Sequence, residues 1–369
     1  MEMSSYFEEN KELLEKLQNE AHMQEIHGCS MLVKAIPDPM EGTVLDPRVY
    51  RDRKAAEEKG NPLADYLEIP VGLVRETPAA ASRDITGCYI PSERRVIETR
   101  GGSTNIYIYN GEAGAKKPML LFIHGGAFIA GQTSVVENFC RLVAKLSDAV
   151  VVGVDYRLSP EHYFPVGLHD CYDAMCWMCD HAPEFGGDPG RLMVGGDSAG
   201  GTLAIGCCML EQERVSAGEL ARSRIRYEAL VYPGVLVDNF KLDDYRWKMS
   251  EYEIPEDDFL AMGAAVSLKA MTAEMPGLYM GEDGHVKNPL AAPLCAEDLS
   301  YLPKTLNALC EFDYLRLQGE AFSRKLVREG VDVRTILYRG MDHEFVDKTG
   351  YCPQAYDVAA EIAKDIAEL

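Results

Sequence analysis

From residue 119 onward, apolar runs of strand length alternate with helical stretches. The runs are MLLFI (119–123), AVVVGV (149–154), RLMVGG (191–196), EALVYP (228–233), TLNALC (305–310) and RTILYR (334–339). Each is short, apolar and bounded by turn residues, so each reads as a buried strand. Two parallel strands need a crossover between them, and the intervening helical stretches supply it. This alternation predicts an α/β fold: a mostly parallel sheet with helices on both faces. Two further strands, Arg95 to Thr99 and Asn105 to Tyr109, flank the Gly101-Gly102 turn and suggest an antiparallel edge.

The helices divide by pattern. Leu168, Tyr172, Met175, Cys176 and Cys179 form one stripe at helical spacing. After Ser198 the helix is apolar nearly all round, from Ala199 through Leu203, Ile205, Cys207 and Cys208 to Leu210, as expected of a central buried element. Two regions stand outside the alternation. Ser4 to Met23 reads as a helix, followed to residue 90 by irregular chain punctuated by Pro37, Pro39, Pro47, Pro62, Pro70 and Pro78, with a charged helical stretch at Arg51 to Lys59. Residues 236–287 are acidic and helical in pattern (Asp243 to Met249, Asp257 to Met271) and interrupt the sheet. The expected organisation is therefore 1–90 as an amino-terminal segment, 91–235 as the first part of the core, 236–287 as a helical insertion and 288–369 as the second part. The two outlying regions are the material for a lid.

Composition narrows the function classes. With 37 Lys and Arg against 59 Asp and Glu, the formal charge is −22. That field repels phosphate backbones and anionic lipid surfaces, so no nucleic acid and no membrane is expected as a partner. No stretch of about 18 apolar residues occurs, and the start MEMSSYFEEN lacks the basic and apolar regions of an export signal. Eleven cysteines then read as reduced thiols in a cytoplasmic protein. Cys176 and Cys179 form C-x-x-C, yet both lie on the apolar stripe and no second pair follows, so no metal is expected there.

Chemistry concentrates at Gly196-Asp197-Ser198-Ala199-Gly200, a G-x-S-x-G motif between a strand and a helix. A sharp turn there exposes the hydroxyl at the end of the sheet, and two glycines let strand and helix approach closely. His124-Gly125-Gly126 follows the strand at 119–123. Gly125 and Gly126, with the N–H of Ala199, are the expected oxyanion hole, each donor contributing about 3 kcal/mol. A serine needs a base, and the base an orienting carboxylate. In the order Ser…Asp…His, Asp313 and His343 both follow strands and reach the same sheet edge as Ser198. Asp342 and Asp347 are rivals for the carboxylate. His124, His162 and His169 are weaker candidates for the base, and Asp197 and Glu161 are expected to hydrogen-bond nearby loops.

These residues together resemble the hormone-sensitive lipase-like branch of the α/β-hydrolases, the bacterial esterases with a GDSAG elbow. The likeness covers about 85–369 and includes YRLSPEHYFP (156–165), DPGRLMVGGDSAGG (188–201), NPLAAP (288–293), EFDYLRLQGEAF (311–322) and GMDHEF (340–345). It implies an α/β-hydrolase fold with an eight-stranded sheet and a helical cap built from the amino-terminal segment and the 236–287 insertion. It implies Ser198, Asp313 and His343 as the catalytic triad. Ala127 stands where a third glycine is usual, Leu317 where an acid is, and Tyr314 and Glu344 where Pro and Gly are common.

The expected function is that of a serine carboxylesterase on small to medium acyl esters, acetyl esters included, with no metal or organic cofactor. An amidase or formamidase would use the same triad, and a non-catalytic small-molecule receptor is the reading from another class. Long-chain lipid droplets are disfavoured as substrate. A monomer or homodimer is expected by analogy, with activity lost as His343 protonates below neutrality.

Overall fold

The computed structural model describes residues 3–60, 70–77, 80–282 and 284–369; Pro62 and Pro78 lie outside the described residues. The strands are β1 (His22–Ile26), β2 (Cys29–Lys34), β3 (Ser92–Thr99), β4 (Gly102–Tyr109), β5 (Lys117–Ile123), β6 (Val150–Val154), β7 (Gly187–Asp197), β8 (Ile225–Val231), β9 (Lys304–Cys310) and β10 (Val333–Tyr338). The α-helices are α1 (Met3–Asn19), α2 (Pro47–Lys59), α3 (Val71–Glu76), α4 (Glu137–Ser147), α5 (Val166–Phe185), α6 (Ala199–Ser216), α7 (Phe259–Val266), α8 (Lys269–Met275), α9 (Arg316–Arg328) and α10 (Pro353–Ala367).

All strands join one sheet in the order β1-β2-β10-β9-β8-β7-β5-β6-β4-β3. From β2 to β6 every pairing is parallel, and antiparallel hairpins close both edges. The chain steps from β5 one way to β6, then returns past β5 to β7, β8, β9 and β10. Right-handed crossovers therefore place α4 on one face and α5, α6 and α9 on the other. α10 packs beside α4, and α5 beside α6. The reversal at β5 opens a crevice at the carboxyl ends of β5 and β7, where sites form in such sheets.

Among the described residues the sheet has ten strands where eight are expected. The two additional ones are β1 and β2, in a stretch that reads as irregular. They are joined by His27-Gly28 at φ 51° and 72°, a two-residue turn whose twist suits a hairpin. Histidine at the first position hides the usual Asn-Gly signal. Cys29, Met31 and Val33 alternate inward on β2 and pack on Leu309 and Leu337.

The insertion also departs from expectation. Asp243 to Met249 is not helical: Tyr245 is buried and Trp247 and Met249 half-buried, with exposed residues between them, a two-residue period that favours extended chain. Asp257 to Met271 forms two helices rather than one. Asp258 caps α7 by accepting from Ala261 N–H at 3.1 Å, and the chain turns at Ser267 before α8.

Lys34 ties the added hairpin to the end of the chain. Its ammonium is 2% exposed and lies 3.0 Å from Asp357 and 3.1 Å from Glu361 on α10. Removing one member of a buried ionic cluster leaves uncompensated charge and costs about 3–5 kcal/mol. Lys34→Ala should lower the urea unfolding free energy by about that amount; a loss under 1 kcal/mol would show that the hairpin is only loosely attached.

Candidate active site

β7 ends at Asp197 and α6 starts at Ala199, so Ser198 alone makes the turn, at φ 54° and ψ −121°. A non-glycine residue rarely adopts that conformation. The turn is held on both sides: Ser198 N–H donates to Val231 O at 2.9 Å, and Gly201 N–H donates to Ser198 O at 3.0 Å. The flanking glycines are required by contact. A Cβ at Gly200 would lie 1.9 Å from the carbonyl oxygen of Ile123, and one at Gly196 would lie 2.5 Å from the backbone of Gly200.

Asp313 follows β9 and His343 follows β10. The structure brings both to Ser198. His343 Nε2 lies 2.8 Å from Ser198 Oγ, and Nδ1 lies 2.6 Å from Asp313 Oδ2. The other carboxylate oxygen of Asp313 accepts from Leu315 N–H at 2.9 Å, which fixes its plane. Tyr252, from the insertion, donates its hydroxyl to the Asp313 carbonyl at 2.8 Å. Burial pulls the His343 imidazole down, but Asp313, with Glu344 and Asp197 behind it, outweighs this and raises its pKa to about 9.

The rival carboxylates are placed otherwise. Asp342 turns away from the imidazole and accepts Arg53 of α2 at 2.7 Å. Asp347 lines the cavity, and among the described residues its Oδ1 has no partner. His124 is buried and stacks on Tyr156 at 4.4 Å, its pKa lowered by burial. Glu161 pairs with Arg75 at 2.7 Å. Cys179 is buried, whereas Cys176 is half-buried and accepts from Arg224 at 3.2 Å. Among the described residues no group of three His, Cys, Asp or Glu could hold a metal ion.

The oxyanion donors need a correction. Gly125 N–H donates to Asp197 Oδ1 at 3.0 Å and is not free. Asp197 is 2% exposed, and burial raises its pKa to about 7 against the pull of that N–H and of His343. A buried carboxyl needs a partner, and Gly125 N–H supplies one. Among the described residues none accepts from the N–H groups of Gly126, Ala127 or Ala199. Ala127 escapes sequence reading because it is not glycine; its place after Gly126 is the only signal.

Ser198 and His343 open into a cavity of about 830 Å³. Leu158, Leu236, Leu268, Met271, Met275 and Leu315 supply apolar wall. Val74 to Thr77 of α3 and its flank line another side, with Glu344 and Asp347. Met271 and Met275 face the cavity, while Tyr279 stacks on Phe128.

A family model described as the alpha/beta hydrolase fold matches residues 120–347. An arylesterase of Saccharolobus solfataricus is 28% identical over 264 residues, 71% of this chain and 79% of that protein. Esterase LipI of Mycobacterium tuberculosis is 34% identical over 242 residues, 65% of this chain and 69% of that protein. The solved structure of a hyperthermophilic esterase from Pyrobaculum calidifontis superposes with a TM-score of 0.69 at 29% identity, covering 88% of this chain and 98% of the other.

Gly200→Ala tests the elbow. The added methyl must displace Ile123 or α6, at about 1–3 kcal/mol or more. Displacing a nucleophile by about 1 Å costs about 100-fold in rate. Both losses are expected, by urea unfolding and by turnover of an activated ester. Full activity in this variant would contradict the close approach.

Proposed function

This chain belongs to the alpha/beta hydrolase fold family, and from that premise we propose that it is a serine carboxylesterase acting on small to medium acyl esters, with Ser198, His343 and Asp313 as its triad. The observation that carries this reading is the unbroken Oγ–Nε2 and Nδ1–Oδ2 relay at 2.8 and 2.6 Å. The esterase relatives support it.

His343 takes the Ser198 proton at Nε2 as Oγ attacks the ester carbonyl. The developing oxyanion meets the free N–H groups of Gly126, Ala127 and Ala199, the last at the start of α6. His343, now imidazolium, is stabilised by Asp313 and returns the proton to the leaving alcohol. Water then repeats the sequence on the acyl-enzyme and frees the acid. Each step uses this chain's own groups.

The cavity supports a small or medium acyl group. The amino-terminal segment to residue 90 and the 236–287 insertion act as its cap, since both contribute wall. No helix among the described residues is long and apolar enough to cross a membrane. A cytoplasmic, monomeric or dimeric enzyme completes the reading, in keeping with eleven unpaired cysteines.

The chain-length series from acetyl to dodecanoyl p-nitrophenyl esters should peak among the short members and fall steeply by dodecanoyl. A maximum at dodecanoyl would instead indicate a lipase. Matched ester and amide pairs should be turned over faster as esters; faster amide turnover would assign an amidase. The pH profile follows from the raised His343 pKa. Only neutral His343 can accept the proton, so kcat/KM should be lost as pH falls through that pKa. The acid limb should have its midpoint above the ordinary imidazole value of about 6.5, higher than the bare sequence implies. A midpoint at or below that value would mean that Asp313 does not raise the base.

A further inference from the structure

On the esterase reading, the oxyanion turn must be held in a conformation its residues do not favour. Gly126, Ala127 and Phe128 have φ of 111°, 52° and 64°. Glycine adopts such angles freely, alanine and phenylalanine do not. A turn of this kind persists only where its surroundings over-determine it. Inside the turn, Ile129 and Ala130 N–H groups donate to Gly126 O at 3.1 and 2.9 Å. The Phe128 ring stacks on Tyr279 at 3.7 Å.

Asp197 holds the turn at Gly125 N–H, and a further tie grips its far end from α3. Arg75, on α3, donates Nε–H to Ile129 O at 2.7 Å and Nη2–H to Ser159 O at 2.9 Å. Ser159 N–H donates in turn to Phe128 O at 2.9 Å. The guanidinium thus closes a ring through Ile129, Phe128 and Ser159. Its two adjacent donors reach both carbonyls at once, which a lysine ammonium on a single flexible stem does not reproduce. Glu161 accepts from Nη1 and Nη2 at 2.7 Å each and orients the fork. That ion pair is itself half open to solvent, with Glu161 57% exposed, so the carbonyl bonds carry the effect rather than the pair.

We propose that Arg75 is the positioning residue of the oxyanion turn: it holds the strained Ala127–Phe128 backbone so that the Gly126 and Ala127 N–H groups face the reacting carbonyl oxygen. The role follows from Ala127 in particular. With alanine at this position the left-handed backbone is penalised, and the outside tie compensates. Arg75 acts through the turn and also joins it to α3, whose Val74 lines the cavity together with Thr77 just past its end.

The test is a double-mutant cycle on p-nitrophenyl acetate, using Arg75→Met, Ala127→Gly and the pair, with Arg75→Lys as a second probe. Arg75→Met should lower kcat about 10-fold or more with KM nearly unchanged, because donors meet the charge that develops in the transition state. Arg75→Lys should recover only part. In the Ala127→Gly background, where the turn is less strained, the same Arg75→Met change should cost less than about 3-fold. Hydrogen exchange of the amides at 126–130 should quicken in Arg75→Met and not elsewhere in the sheet. An unchanged kcat, an effect on KM alone, equal losses in both backgrounds or unaltered exchange would overturn the proposal. A wild-type protein inactive on every ester would count against the esterase reading instead, and the exchange measurement would still decide the role of Arg75.

Discussion

Where α6 leaves β7, the backbone of Gly200 runs against the carbonyl oxygen of Ile123 with no room for a side chain. Two buried strands and one buried helix meet at that point, and Ser198 is lifted out of it at φ 54°. The strain is local, but the restraint is not. β5 supplies Ile123 and the oxyanion turn, β7 supplies the serine, and β8 accepts the serine N–H through Val231. The proposed nucleophile and oxyanion donors are therefore held by the same packing. Asp197 closes the arrangement by taking Gly125 N–H, so that the residue before Ser198 restrains the near end of the turn that faces it.

The proposed base arrives from the end of β10, three strands beyond β7 on the same side of β5, and is held by different means. Its loop is gripped by the amino-terminal segment: Asp46 N–H donates to Gly340 O at 2.9 Å, Arg53 holds Asp342 at 2.7 Å, and Asp52 holds Lys348 at 2.8 Å. A region distant in sequence and outside the matched family range thus sets where His343 stands. The same segment provides α3 and its wall of the cavity. Support of the proposed triad and shaping of the pocket are joined in one stretch of chain.

Much of this was legible in the residues. Buried strands such as 119–123 and 149–154 announce themselves because both faces are covered, so their apolar runs are continuous. Gly196 to Gly200 is legible because close approach leaves glycine as the only choice. What escaped has physical causes. The β1–β2 hairpin is half exposed and its turn uses His27, so neither composition nor turn chemistry marks it. The stretch before Trp247 closes on itself through a Leu242–Tyr245 bridge rather than a helix. The engagement of Gly125 is invisible because a backbone N–H carries no residue signature, and what decides it is a buried carboxyl seventy-two positions away.

The proposed activity rests on Ser198 being made a nucleophile by its neighbours. The most direct measurement is covalent labelling by a fluorophosphonate, located by mass spectrometry of the digested protein. A single adduct on Ser198 is predicted, formed far more slowly once His343 is replaced by alanine. A folded protein that stays unlabelled at Ser198, or one labelled equally fast without the imidazole, would contradict it.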